Sequence, residues 1–382
     1  MCSIEERLNT ILMDREQNGI LRQLTVRSPL IDFASNDYFG RAAALESRET
    51  FKQELANSDD FCLGATGSRL ITGNSEFVEQ VEDQIAHFHQ VEAALIFSSG
   101  YAANVGFIEA IAKRGDVILR DECIHASMID GCRLSFASSF HFKHNDLTDL
   151  ETKLKRYCKS NCFVLVESLY SMEGDFAPLT EISELCNQYH ATLIVDEAHA
   201  LGVLDGGLVQ TLNLHHRVFA RIVTFGKALG IQGAAILGSK TLINYLTNYC
   251  RSFIFSTGIS PLLLHAIKLG YRFLANSEKE AQVLQEKCRL FIGLPTKEKT
   301  KVLMSPIQIF ILPGNELVDK ASNLLRLKGF DVRPIKSPTV KKGRERLRIC
   351  LHTFNTDADI SRLLYYLRQI KQTFNECTNP CL

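Results

Sequence analysis

Apolar positions near the start of the chain recur at helical spacing: Leu8, Ile11 and Leu12 stand among charged neighbours between Ser3 and Asn18, which predicts an amphipathic helix. Ile31-Asp32-Phe33 then runs into the turn-rich stretch Ser35-Asn36-Asp37-Tyr38. From about Ser75 the pattern becomes a regular alternation of elements. Phe77, Val81, Ile85 and Phe88 mark a helix, residues 93–97 read as a strand, 101–112 as a helix and 117–119 as a strand. Continuous apolar runs follow at 163–166, 192–195 and 221–224, separated by helical stretches such as 179–189. Short strands that are apolar on both faces and alternate with helices predict an α/β domain whose mostly parallel sheet is sandwiched by helices.

A long helical region begins near Pro261, carries Leu262, Leu263, Ala266, Ile267 and Tyr271, and ends near Gly293-Leu294-Pro295. Beyond the charged turn Lys297-Glu298-Lys299 lies a second set: strand 302–311, helix 316–327, strands 330–333 and 347–351, and helix 360–370. This predicts a smaller C-terminal α+β domain. The expected organisation is an N-terminal helical arm and loop over 1–40, a large domain over 41–293 and the small domain over 294–382. No internal period and no low-complexity tract interrupts it.

Composition adds exclusions. The 382 residues are 46% hydrophobic and 23% charged, as in ordinary globular enzymes. Lys plus Arg and Asp plus Glu are both 43, so no broad basic field exists to attract nucleic acid or anionic lipid, and neither is expected as a partner. An anion must be held locally. The first residues lack the basic stretch and apolar run of a secretory signal, and no segment approaches the roughly 20 apolar residues of a membrane span. A cytoplasmic protein is expected. Twelve cysteines are scattered; the close pairs Cys158/Cys162 and Cys377/Cys381 lack the second pair or the histidines of a zinc site, so reduced thiols and no metal are expected.

In a parallel sheet, ligands bind beyond the carboxyl ends of the strands. Five loops meet that condition: Ser98-Ser99-Gly100-Tyr101, residues 121–125, residues 167–171, Asp196-Glu197-Ala198-His199 and Thr224-Phe225-Gly226-Lys227. Together they offer a lysine, a carboxylate, hydroxyl and imidazole donors, and a helix start for a phosphate. Those are the groups that pyridoxal 5′-phosphate (PLP) requires: an amine for the imine, a carboxylate at the pyridine nitrogen, donors for the phenolic oxygen, and amides or hydroxyls for the phosphate. Asp196 and Lys227 follow different strands and are placed to reach opposite ends of one ring. Gly100 and Tyr101 open a helix, where free amides and the helix dipole favour a phosphate, and Thr224 adds a hydroxyl. Taken singly, each residue is as readily a cap or turn residue; the combination distinguishes them.

Residues 193–199 also resemble the Asp-Glu-Ala-His box of helicases. That reading needs a G-x-x-x-x-G-K-[ST] loop, but Ala228 follows Gly226-Lys227 and Arg221 occupies the first glycine position. A nucleic-acid-dependent ATPase is therefore excluded.

Nearly the whole chain resembles the α-oxoamine synthases of PLP fold type I. The likeness is carried by Ser35-Asn36-Asp37-Tyr38-Phe39-Gly40, Gly67-Ser68-Arg69-Leu70, Ser99-Gly100-Tyr101-Ala102-Ala103-Asn104, His125-Ala126-Ser127, Ser171-Met172-Glu173-Gly174-Asp175, Asp196-Glu197-Ala198-His199, Thr224-Phe225-Gly226-Lys227, Gly233-Ala234-Ala235 and Arg346-Leu347-Arg348. Within the family the motifs are most similar to those of the branch that joins L-alanine to a pimeloyl thioester, on CoA or a carrier protein, in biotin synthesis. The resemblance implies that Lys227 is the imine partner and then the general base, that His125 stacks on the ring, and that Asp196 pairs with its nitrogen. It implies further that Ser171 and His199 contact the ring substituents, and that Gly100, Tyr101 and Thr224 hold the phosphate. Ser256 and Thr257 would join them from the neighbouring subunit of a homodimer with shared sites. Asn36 and Arg348 would receive the amino-acid carboxylate, while Arg22, Glu167 and Thr339 would belong to the acyl-substrate region. One departure is Lys336-Ser337 before Pro338-Thr339-Val340, where relatives often carry arginine: the charge is kept and the planar fork is lost. Sibling reactions using glycine or serine share most of these motifs and stand as the alternative. A catalytically silent scaffold is disfavoured by intact Lys227, Asp196 and His125.

Overall fold

Seven short strands build the main sheet: β1 (Ala93–Phe97), β2 (Val117–Asp121), β3 (Ser138–Phe142), β4 (Cys162–Glu167), β5 (Thr192–Asp196), β6 (Ala220–Thr224) and β7 (Ala234–Gly238). Their order across the sheet is β1-β7-β6-β5-β4-β2-β3. Every neighbouring pair is parallel except the two made by β7, which runs against both β1 and β6. Six carboxyl ends therefore share one edge. The central strands are buried along almost their whole length, as a sheet covered by helices on both faces requires.

This computed structural model describes residues 3–26, 29–58, 62–157, 159, 161–294 and 304–378, the last five of these by their backbone only. The turn expected at Lys297-Glu298-Lys299, the beginning of the strand expected from 302, and Pro295, Cys158 and Cys381 lie outside the described residues. The chain forms two compact units, Asn36–Gln285 and Met1–Ser35 with Glu286–Leu382. The sheet belongs to the first. The N-terminal helix, Ile4–Gln17, begins at a capping box in which Ser3 and Glu6 satisfy each other's backbone amides, and it groups with the C-terminal unit.

In that second unit the strands Arg333–Ile335, Arg346–Cys350 and Ile307–Ile311 form an antiparallel sheet in that order, packed with the helix Asn315–Leu327. The strand expected over 330–333 is instead two pieces. Phe330–Asp331 pairs in parallel with Ile31–Asp32, and the chain then crosses to the three-stranded sheet. The long helix expected from Pro261 breaks into Pro261–Leu274 and Glu278–Ile292, with Ser277 buried between them.

One strand escapes the hydrophobic pattern, and another conforms to it but runs the opposite way. The edge strand β3 reads Ser-Ser-Phe-His-Phe and is mostly exposed, so partner geometry rather than burial makes it a strand. β7, Ala-Ala-Ile-Leu-Gly, is apolar, buried between two antiparallel neighbours and entered through Gly233 at φ +127°. Among the described residues, no helix is long and apolar enough to cross a membrane.

Candidate active site

Alternation along the strands gathers the candidate groups on one face. Glu167 and Asp196 end β4 and β5 and are register partners, and Asp196 in turn lies opposite Ile222 on β6. Register partners point the same way, and a period of two adds Thr224 to that face. Three residues on, Lys227 lines the same cavity, together with Gly100, Tyr101, Asn104, His125, Ala198 and His199. The cavity has a volume of about 150 Å³ and opens to solvent at its mouth. The expected amine, carboxylate, flat imidazole and phosphate-side residues thus meet in one place.

Each group is held by its neighbours. Asp196 accepts from the Ala198 amide through Oδ1 (2.9 Å) and from Asn104 Nδ2 through Oδ2 (2.8 Å). His199 Nδ1 meets the Tyr38 hydroxyl at 2.7 Å. Thr224 Oγ1 donates to the Gly233 carbonyl at 3.2 Å. Gly100 begins the helix Gly100–Ile111, which Ser99 caps by accepting from the Ala102 amide. The first-turn amides of a helix have no partner inside it, and at this helix start they suit a dianion.

The electrostatics single out Glu167. It is 3% exposed; burial and the nearby Asp196 push its carboxyl up to about 8, against the opposing pull of Lys227 and the amides of Ser171 and His125. Burial also lowers the His125 imidazole, with Asp196 opposing and Lys227 reinforcing that effect. Among the described residues, Glu167 Oε1 and Asn104 Oδ1 are buried without a hydrogen-bond partner. Buried polar atoms are rarely left so. A cavity with an amine, a carboxylate, two spare buried oxygens and a helix start for a phosphate fits PLP, a flat ring bearing an aldehyde, a ring nitrogen and a phosphate.

The remaining expected residues are not among those lining this cavity. Ser171 is not among those lining the cavity; its amide donates to Glu167 Oε2 at 3.2 Å. Ser256 and Thr257 line a separate cavity with Arg69 and Ser98. Asn36 lies in the first turn of its unit, where its carbonyl accepts from the Tyr38 amide. In the other unit, Arg348 occupies the central strand, 8% exposed, with Nη1 2.9 Å from Cys350 Sγ. There also Arg22 Nη2 donates to Thr339 Oγ1 at 3.3 Å, which joins two of the residues expected to meet the acyl substrate. Lys336 is engaged by Asp319 (2.8 Å) and the Gly19 carbonyl (2.6 Å).

Asn104, Tyr38 and Ser127 stand in the quoted motifs, but reading along the chain assigned them no role; only their contacts across the fold reveal one. The described residues also bring Asp121, Cys123 and His144 together. Asp121 and Asp175 bracket the His144 ring at 3.0 and 2.9 Å and, against the effect of burial, push it up to about 12. That arrangement is an ion-pair brace for the loop after β4.

The Aminotransferase class I and II family model matches residues 28–367. The 8-amino-7-oxononanoate synthase of Lysinibacillus sphaericus is 34% identical over 386 residues, covering 96% of this chain and 98% of that protein. 8-Amino-7-oxononanoate synthase 2 of Bacillus subtilis is 37% identical over 350 residues, covering 88% and 87%. Among solved structures, the serine palmitoyltransferase of Sphingomonas wittichii superposes with a TM-score of 0.86 at 27% identity, covering 97% of this chain and 98% of that one. With the sheet, the cavity and these likenesses in agreement, the chain belongs to the aminotransferase class I and II family, as one of its PLP-dependent acyltransferases of the α-oxoamine synthase kind.

Proposed function

We propose that this enzyme condenses L-alanine with a pimeloyl thioester, of CoA or of a carrier protein, to give 8-amino-7-oxononanoate, carbon dioxide and the free thiol, a step of biotin synthesis. The observation that carries the reading is the pairing of Lys227 with Asp196 in one cavity, in a chain whose relatives bear that enzyme's name. When bound, PLP supplies an electron sink for a carbanion at the α-carbon of the amino acid.

The residues divide the work. Asp196 would hold the ring nitrogen protonated, with Asn104 and the Ala198 amide fixing the carboxylate. Lys227 would bind the cofactor covalently and, once displaced, take the α-proton on Nζ as a neutral amine. His125 would cover one face of the ring. His199, oriented by Tyr38, would serve the phenolic oxygen, and Ser171 would contact a ring substituent. Gly100, Tyr101 and Thr224 would hold the phosphate. Arg348 and Asn36 would bind the amino-acid carboxylate, for which a guanidinium fork is suited. Arg22, Thr339 and Glu167 would serve the acyl substrate, a role supported for the first two by their mutual hydrogen bond.

We propose further that the enzyme is a cytoplasmic homodimer in which Ser256 and Thr257 complete the partner's phosphate site. Their position in a cavity apart from Lys227 supports this.

The test is product formation, by mass spectrometry, from each of L-alanine, glycine and L-serine with pimeloyl-CoA, acetyl-CoA, succinyl-CoA and palmitoyl-CoA. Fastest turnover is expected with alanine and pimeloyl-CoA. Faster turnover of glycine or serine with another acyl-CoA would overturn the assignment within the family.

A further inference from the structure

Asp196 is linked to His125 through two buried side chains. Asn104 Nδ2 donates to Asp196 Oδ2 at 2.8 Å and to Ser127 Oγ at 3.0 Å. Ser127 Oγ lies 2.7 Å from His125 Nδ1, and the Ser127 backbone amide donates to the same nitrogen at 3.2 Å. Asn104 and Ser127 are 2% and 0% exposed, so water does not replace these contacts.

Chemistry fixes the direction of every bond in the chain. A backbone N–H can only donate, so His125 Nδ1 must offer a lone pair. Ser127 Oγ already accepts from Asn104 and directs its own proton to Nδ1. A carboxylate only accepts, so Asn104 must turn its NH₂ toward Asp196, which leaves its Oδ1 without a partner, as found. The ring proton of a neutral His125 then resides on Nε2.

We propose that Asn104 and Ser127 are positioning residues that hold His125 as the neutral Nε2–H tautomer, through a one-way hydrogen-bond relay anchored on Asp196. The inference rests on the PLP reading only for what His125 faces. An imidazolium stacked on a protonated pyridine would set two like charges face to face, and a locked neutral imidazole avoids that repulsion. Protonating Nδ1 would set an N–H against the Ser127 amide and strand the Ser127 hydroxyl. The surrounding charges are Asp196 and Asp130, which favour the protonated ring, and Lys227, which with burial disfavours it; Glu167 lines the same cavity.

The test is nitrogen NMR of the holoenzyme labelled with ¹⁵N-histidine, with the His125 signals assigned by their loss in His125→Asn. An unprotonated Nδ1 and a protonated Nε2 near neutral pH are expected; a protonated or averaged Nδ1 would overturn the relay. Ser127→Ala removes the hydroxyl and keeps the amide, and should admit some Nδ1–H tautomer and raise the pH at which His125 protonates by roughly half to one unit. Ser127→Thr should restore both. An unchanged tautomer and midpoint in Ser127→Ala would overturn the role given to the hydroxyl. If Ser127→Ala fails to fold, the wild-type tautomer alone decides. Failure of the protein to hold PLP would break the proposed function instead, and the imidazole measurement on the same protein would stand apart from it.

Discussion

Asp196 and Glu197 are neighbours in the chain, and the pleat of the sheet sends them to opposite faces with different fates. Glu197, fully buried, meets the equally buried Arg221, with Nε 2.5 Å from Oε2. The rest of that guanidinium donates to the carbonyls of His89 and Gly206, and Glu197 Oε1 accepts from the Val209 amide. Gly207, at φ +107°, passes so close that a Cβ would strike the Glu197 carboxylate. On the cavity face, by contrast, Glu167 Oε1 and Asn104 Oδ1 are buried with no partner among the described residues. A buried ion pair with its polar atoms matched acts as scaffold. Partnerless buried atoms also occur away from the cavity, Gln210 Oε1 and Asn145 Oδ1 among them, so the two cavity oxygens point to a ligand only together with Lys227, Asp196 and the helix start beside them. This contrast also explains the likeness to a helicase box: its second acidic residue serves the scaffold.

The contrast can be broken by substitutions on either face. The largest effect is expected for Lys227→Ala, which should lower kcat by about 10³-fold or more while the unfolding midpoint of the apoenzyme stays unchanged. A large loss of stability would make Lys227 a scaffold residue. On the opposite face, Arg221→Met leaves the Glu197 carboxylate buried and unmatched and should cost about 3–5 kcal/mol in denaturant unfolding. Adding Glu197→Leu should recover most of that loss; a double variant no better than the single would refute the pairing account.

Glu167→Gln is expected to act through pH. The folded-state carboxyl is raised from 4.5 to about 8, so its contribution to stability is full below the lower value and is lost as pH rises through the upper one. Relative to Glu167→Gln, the wild-type apoenzyme should therefore lose stability between about pH 4.5 and pH 8, by an amount on the order of a few kcal/mol. Thermal unfolding of both proteins across that range checks it, and parallel curves would contradict the assignment. The smallest effect belongs to Tyr38→Phe, which removes one neutral hydrogen bond to His199 and should weaken PLP retention by about fivefold, near 1 kcal/mol. Titration of the apoenzyme with PLP reads this directly.

The sheet and the cavity were legible in the sequence to the extent that they depend on local pattern. Apolar runs located β1, β2, β4, β5 and β6 within a residue or two, and the rule that ligands gather at carboxyl ends then selected Asp196, Thr224 and Lys227 without any view of the fold. β3 was missed because it is a polar edge; β7, Ala-Ala-Ile-Leu-Gly, does carry an apolar run and was overlooked because it follows β6 closely with no helix between them. Relations between distant residues were also beyond reach. Nothing along the chain announces that Asn104 meets Asp196, that Tyr38 meets His199 or that Arg22 meets Thr339, since each pairing is created by packing. Glu197 shows the converse error that a motif can invite, because its face of the strand, not its neighbours in sequence, decides what it does.

The most direct test of the account is where the cofactor attaches. Purified protein reconstituted with PLP, reduced with borohydride and digested should yield the cofactor mass on the peptide containing Lys227, with the visible band absent from Lys227→Ala. Label on a different lysine, or a protein that takes up no PLP, would contradict it.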